Sequence, residues 1–201
     1  MKRWAGASWL AAALAVSLLA LAVVLRQDRG DAAKLEAAIS AAEAGQGGAE
    51  AFERELRVHL DRQPRDARGW VIFARLQAER DRFDEAAQAY ERALALSSRV
   101  ARDPAVWCEY ADALGMARGG RLEGKPRELL GRALALESTH PKALEMAGSA
   151  EYEQGRYAAA LAFWRPLLEQ LRPGTQRHDE LAAAIARTER LAGTPPTGGA
   201  R

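Results

Sequence analysis

The sequence predicts an all-α fold: a solenoid of stacked helical hairpins behind one N-terminal transmembrane helix. Three observations carry this. Residues 4–25 hold no charged side chain. No run after residue 30 alternates apolar and polar residues as a half-buried strand would, whereas apolar residues recur at helical spacing. The chain also repeats itself. Arg92-Ala-Leu-Ala-Leu96 returns as Arg132-Ala-Leu-Ala-Leu136, and Trp70, Trp107 and Leu144 stand at intervals of 37.

The first element is Trp4–Leu25, WAGASWLAAALAVSLLALAVVL. As a helix it is about 33 Å long, enough to cross a hydrocarbon core of about 30 Å. Lys2 and Arg3 precede it, and the charges of Arg26, Asp28, Arg29 and Asp31 cancel after it. The positive-inside rule places the amino terminus in the cytoplasm and the remainder across the membrane. Ala20-Leu21-Ala22 offers a signal-cleavage triplet, but signal cores run only about 7–15 residues, and this run is longer. The run therefore reads as an uncleaved anchor.

Charge excludes one class of partner. The chain has 29 Lys and Arg against 27 Asp and Glu, and setting aside Lys2 and Arg3 leaves the rest balanced. A nucleic-acid-binding domain would concentrate basic residues on its folded part, so no nucleic acid is expected.

After the anchor, Ala32–Ala44 reads as a helix with Leu35, Ile39 and Ala42 on one face, ended by Gly45, Gly47 and Gly48. Glu50–Asp61 reads as a lone helix ahead of Pro64. Three hairpins follow. The first runs Trp70-x2-Phe73-Ala74, then Ala86-x3-Tyr90-x2-Ala93. The second runs Trp107-x2-Tyr110-Ala111-x2-Leu114, then Leu130-x2-Ala133. The third runs Leu144-x2-Ala147-Gly148, then Ala160-x3-Trp164-x2-Leu167. The small residues let paired helices approach, and Trp70, Trp107 and Trp164 take core positions beside them. Gln176–Leu191 reads as a closing helix, with Leu181, Ile185 and Thr188 spaced to cover the third hairpin. The resulting domains are an anchor at 1–30, a helix and linker at 31–48, a repeat domain with capping helices at 49–192, and a disordered tail at 193–201.

This pattern resembles the tetratricopeptide repeat (TPR). Its usual period is 34, so the first two units each carry three extra residues. One insertion falls in Ser97–Asp103, the other in the turn Arg118–Lys125. Gln77 and Glu151 stand where the repeat prefers Tyr, and Ser98 where it prefers Pro.

Catalytic and metal chemistry find little footing. His59, His140 and His178 do not pair with Cys, His or Asp at ligand spacing. Cys108 is the only cysteine, which excludes a disulfide within one chain. A lone helical thiol reads as a packing residue, and its acidic neighbours Glu109 and Asp112 disfavour a thiolate. Gly119-Gly120 lacks the Lys-Ser/Thr of a phosphate loop and reads as a turn. No catalytic residue, metal ligand or cofactor is expected.

In stacked TPR units the first helix of each pair lines the concave face. The predicted groove comprises Arg68, Val71, Arg75 and Ala78, then Ala105, Cys108, Asp112 and Gly115, then Lys142, Glu145, Ser149 and Tyr152. The Lys and Asn that clamp a terminal carboxylate in some TPR domains are absent from these positions. The floor is small and mildly apolar, suited to an amphipathic helix.

The run Ala113–Pro126, the His140-Pro-Lys-Ala-Leu144 start and the helix Tyr157-x-Ala-Ala-Leu161-x-x-Trp164 resemble the TPR domain of cytochrome c maturation proteins. The resemblance covers about residues 54–192. It implies a non-catalytic role: holding apocytochrome c by its C-terminal helix while membrane subunits of the haem-ligation complex attach haem to C-x-x-C-H thiols. A close relative serves a nitrite-reductase cytochrome. Larger members carry two transmembrane helices, which leaves open whether a separate protein supplies the missing membrane part. The other reading of the bare repeats is an unrelated periplasmic TPR scaffold in envelope assembly.

Overall fold

The computed structural model describes residues 46–193. The predicted anchor at Trp4–Leu25, the helix at Ala32–Ala44 and the tail after Gly193 lie outside them. Among the described residues no helix is long and apolar enough to cross a membrane. All regular structure there is helical: α1 (Gln46–Arg62), α2 (Ala67–Glu79), α3 (Phe83–Leu96), α4 (Pro104–Met116), α5 (Lys125–Leu136), α6 (Pro141–Glu153), α7 (Tyr157–Gln170) and α8 (Gln176–Gly193), with a short 3₁₀ turn at Val100–Arg102. Gly47 and Gly48 belong to the first turn of α1 and do not end a preceding helix. The first helical turn has no intrahelical partners for its N–H groups in any case, so glycine is tolerated there.

The repeat is written into the helix starts. Asp66, Asp103 and His140 stand 37 residues apart, and each caps the first helix of a pair. Asp66 accepts from the Arg68 N–H, Asp103 from Ala105 and the His140 ring from Ala143. Pro104 and Pro141 fill the first position of α4 and α6, where no N–H is needed. The turns inside the first and third pairs also correspond. Asp81 and Gly155, 74 apart, both adopt positive φ (58° and 69°), and the next arginine N–H, of Arg82 or Arg156, donates back to the carbonyl of Gln77 or Glu151.

The described chain divides into two compact units, α1–α3 and α4–α8. In the first, α2 and α3 pair across fully buried Ala74, Ala86 and Ala93, with Tyr90 filling the space beside them. Phe52, Leu56 and Leu60, one turn apart on α1, complete that core. Trp70 is only half-buried: its indole N–H donates to the Pro64 carbonyl at 3.0 Å and Arg92 lies over its ring.

The second unit repeats the scheme. Trp107, also half-buried, donates to the Ala101 carbonyl at 2.8 Å under Arg132. Trp164 alone of the three is buried, in a core with Ala160, Leu161 and Ile185, against which Leu168 and Leu181 pack. Ile185 and Thr188 are the buried residues of α8, as a covering helix requires. The Arg118–Lys125 insertion folds back so that Leu122 is buried against Gly115.

Ala86 and Ala160 have no exposed surface. Leucine at either position should cost about 1–3 kcal/mol through overpacking, and serine much less. Thermal unfolding of the two pairs of variants checks this.

Two polar groups interrupt these cores. Gln77 (0% exposed) and Glu151 (2%) are the residues that replace the repeat's tyrosine. Glu53 accepts hydrogen bonds from Gln77 and from Arg57 and Arg82, and also pairs with Arg80. Glu151 accepts from Arg127 of α5 at 2.5 Å and from Arg156 at the turn into α7. Burial works against Glu53 ionising, but Arg57, Gln77, Arg80 and Arg82 outweigh it and hold the carboxyl below its ordinary range. For Glu151 the Arg156 hydrogen bond leads, and with Arg127 it overcomes burial to the same end.

Candidate functional site

In the second unit the exposed sides of α4 and α6, the Gly120–Leu122 turn and the first turn of α8 enclose an open cavity of about 660 Å³. That lies within the range of pockets that bury several apolar groups. α4 contributes Asp112 and Met116, one helical turn apart. α6 contributes Lys142, Glu145, Met146 and Ser149, the i, i+3, i+4, i+7 set of a single face. Leu122 and Gly120 form one wall, and Arg177 reaches in from α8.

The charges of this cavity are paired. Lys142 bonds Asp112 at 2.7 Å and Arg177 bonds Glu145 at 2.6 Å. All four side chains are about half exposed, so each pair is worth roughly 0–1 kcal/mol and can exchange partners. The apolar lining is methionine-rich. Met116 and Met146 are the only methionines after Met1, and both line the cavity. Met116 is 46% exposed, unusual for so large an apolar side chain. Flexible thioethers suit a surface that must adapt to its occupant.

The structure brings together Asp112, Glu145 and Ser149 of the predicted groove, with Lys142 beside them. Ser149 spends its hydroxyl on the Glu145 carbonyl at 3.0 Å. Tyr152 is exposed but packs beside Tyr157 and Trp164, away from the cavity lining. Gly115 is buried beneath Leu122; a Cβ there would lie 2.9 Å from the leucine side chain. Ala105 is half-buried. On α2, described within its own unit, Arg68 is exposed, Arg75 and Ala78 are half-buried and Val71 is buried. Sequence reasoning missed Met116, Met146, Leu122 and Arg177. The methionines sit one turn beyond Asp112 and next to Glu145, so the helical stripe pointed to them. Leu122 and Arg177 reach the cavity through a loop and a capping helix, which helical spacing does not encode.

Cys108 lies beneath this region with no exposed surface, its sulfur 3.7 Å from the His140 Nδ1. Burial, chiefly, pushes its thiol up to about 12, with Glu109, Asp112 and Asp103 adding to the rise and Lys142 opposing it. At neutral pH it is a protonated packing group. Cys108→Ser is therefore expected to complement a deletion of the gene as fully as the wild-type chain does, in a cell-based assay. Among the described residues no group of three or more His, Cys, Asp or Glu is placed to hold a metal ion.

Comparison with known proteins gives a consistent result. Residues 37–178 match the family described as the cytochrome c-type biogenesis protein H TPR domain. The chain is 34% identical over 162 residues to cytochrome c-type biogenesis protein CycH of Pseudomonas aeruginosa, covering 81% of this chain and 38% of that protein. The CycH of Bradyrhizobium diazoefficiens is 31% identical over 114 residues, 57% of this chain and 30% of the relative. The chain thus spans only 38% and 30% of the length of these two curated relatives. Among solved structures, MamA superposes with a TM-score of 0.61 at 14% identity, over 72% of this chain and 75% of its own. The first TPR of Spaghetti (RPAP3), bound to an HSP90 peptide, gives 0.54 at 16% identity, over 64% and 94%. Identities this low speak to the fold alone.

Proposed function

This chain belongs to the cytochrome c-type biogenesis protein H family through its TPR domain, and from that premise we propose that it is a membrane-anchored periplasmic holder of apocytochrome c. Trp4–Leu25 fixes it in the inner membrane, with the amino terminus in the cytoplasm and the repeat domain in the periplasm. The domain takes the C-terminal helix of the apocytochrome and keeps the chain available while membrane subunits of the haem-ligation complex attach haem. The role is one of binding: the protein needs neither a catalytic group nor a cofactor of its own.

The observation that carries this reading is the cavity on the first helices of two successive hairpins. It has an apolar, methionine-rich floor and a rim whose charges balance. An amphipathic helix laid on such a face buries its apolar stripe and meets charges of both signs at its edges.

The test is capture from detergent-solubilised membranes with the full chain as bait. Co-recovery of haem-ligation subunits and a C-x-x-C-H client is the expected result. Recovery of envelope-assembly proteins without either would favour the scaffold reading. Alkaline carbonate washing of the same membranes should leave the protein in the pellet, and a soluble product starting near Val23 would remove the anchor.

A further inference from the structure

We propose that the cavity between α4 and α6 takes two apolar side chains, one helical turn apart, from an amphipathic helix of low net charge, and that Met116, Met146 and Leu122 are the groups that grip them. This rests on the helix-holding role above and says how that role is carried out.

The length of the floor sets the number of anchors. Lys142 to Ser149 spans seven residues, about 10 Å of α6, or two turns. An occupant helix lying along it presents side chains at i and i+3 or i+4 over that distance. Composition sets their kind. The interior is lined by two thioethers and a leucine, and burying an apolar group against them is the main favourable term available. Charge sets what surrounds the anchors. Asp112, Glu145, Lys142 and Arg177 contribute two charges of each sign, already paired with each other. A strongly charged occupant would gain from one pair member and be repelled by the other. A helix with both signs flanking its apolar stripe can exchange partners with both pairs without leaving a charge unmet.

The insertion gives the cavity its closed side. Leu122 is held by close contact with Gly115, and Gly119 and Gly120 adopt φ of 73° and 87°, a backbone that reverses the chain tightly enough to return Leu122 to α4. The three residues added to this repeat thus act as a wall.

The experiment titrates the full chain, in detergent, with a synthetic peptide covering the C-terminal helix of a c-type cytochrome from the same organism. Met116→Glu, at an exposed position that leaves the core intact, should weaken binding about tenfold or more, the scale of one buried apolar contact. Leu122→Ala should weaken it as well, while Met116→Leu should stay within about threefold. Circular dichroism on each variant confirms an unchanged fold. A peptide whose two apolar residues on successive turns are replaced by Ala should lose affinity to the same degree. A proline-broken peptide of equal composition should also bind poorly. Tight binding of the native peptide that is indifferent to Met116→Glu, or to loss of its own apolar pair, overturns this inference and leaves the holding role standing. Equal binding of the proline-broken peptide overturns the helical occupant. No binding of the native peptide to the wild-type chain overturns both.

Discussion

Gly148→Ala is expected to destabilise the second unit by about 2–3 kcal/mol, against the direction of helix propensity. Alanine is about 1 kcal/mol better than glycine inside a helix, so propensity alone predicts a gain. Packing forbids it. A Cβ on Gly148 would lie 2.1 Å from Nε1 of Trp164 and 2.3 Å from the neighbouring ring carbon. The indole cannot yield cheaply. It is buried among Ala160, Leu161 and Ile185, and its N–H donates to the Glu145 carbonyl at 3.2 Å. Either α6 and α7 separate or the ring leaves its site, and overpacking of this kind exceeds the propensity gain. The sign should reverse once the ring is gone. In a Trp164→Ala background, itself costing about 3–5 kcal/mol, Gly148→Ala should be neutral or slightly stabilising. Denaturant unfolding of the four-variant cycle reads the coupling directly. Because Trp164 also supports α8, the single variant should expose the closing helix to proteolysis first.

Glu151→Ala should cost about 2–3 kcal/mol. Its carboxylate is nearly inaccessible and joins three elements: α6 itself, Arg127 from α5 and Arg156 from the turn into α7. Breaking a buried pair typically costs about 3–5 kcal/mol, but both arginines here are about half exposed and regain water when released, which lowers the figure. The same carboxylate makes stability depend on acid. Its pKa in the folded chain lies below the ordinary value, so its contribution is fully present above the unfolded pKa of about 4.3 and is lost as pH falls through the folded value. Glu53 acts in the same direction in the first unit. Thermal midpoints should therefore hold steady above about pH 5 and fall below it. Glu151→Gln should start lower and show a shallower acid limb. An unchanged limb would assign the acid sensitivity elsewhere.

These two residues also show which parts of the fold the sequence could express. The hairpins follow from spacing: Ala74 against Ala86 and Ala93, and Gly148 against Trp164, sit where a 37-residue period places small residues beside large ones. The helix starts carry the same period in Asp66, Asp103 and Pro104, a signal the repeat pattern alone did not use. Gln77 and Glu151 register in the sequence only as departures from a tyrosine. Their role needs partners 24 residues away, Glu53 in one case and Arg127 in the other, and no local pattern encodes such a pairing. The site divides similarly. Asp112, Glu145 and Ser149 share helical faces and could be placed by counting. Gly115 occupies a position that counting assigned to the floor, but Leu122 covers it; Cys108 and Val71, assigned to the floor in the same way, are buried within their own units. The depth of a helical position depends on what a loop lays over it, as the Arg118–Lys125 insertion does here.

A photo-crosslinking amino acid at position 116, in the full chain in native membranes, tests the central claim most directly. Met116 is an exposed apolar side chain of the cavity, 46% accessible, whereas Arg187 on α8 is exposed and absent from the cavity lining, which makes it the control. The account predicts a light-dependent adduct between position 116 and the C-terminal segment of an apocytochrome, identified by peptide mass, and none from position 187. Adducts of equal yield from both positions, or none to any C-x-x-C-H protein from position 116 in a folded and membrane-retained chain, would contradict it.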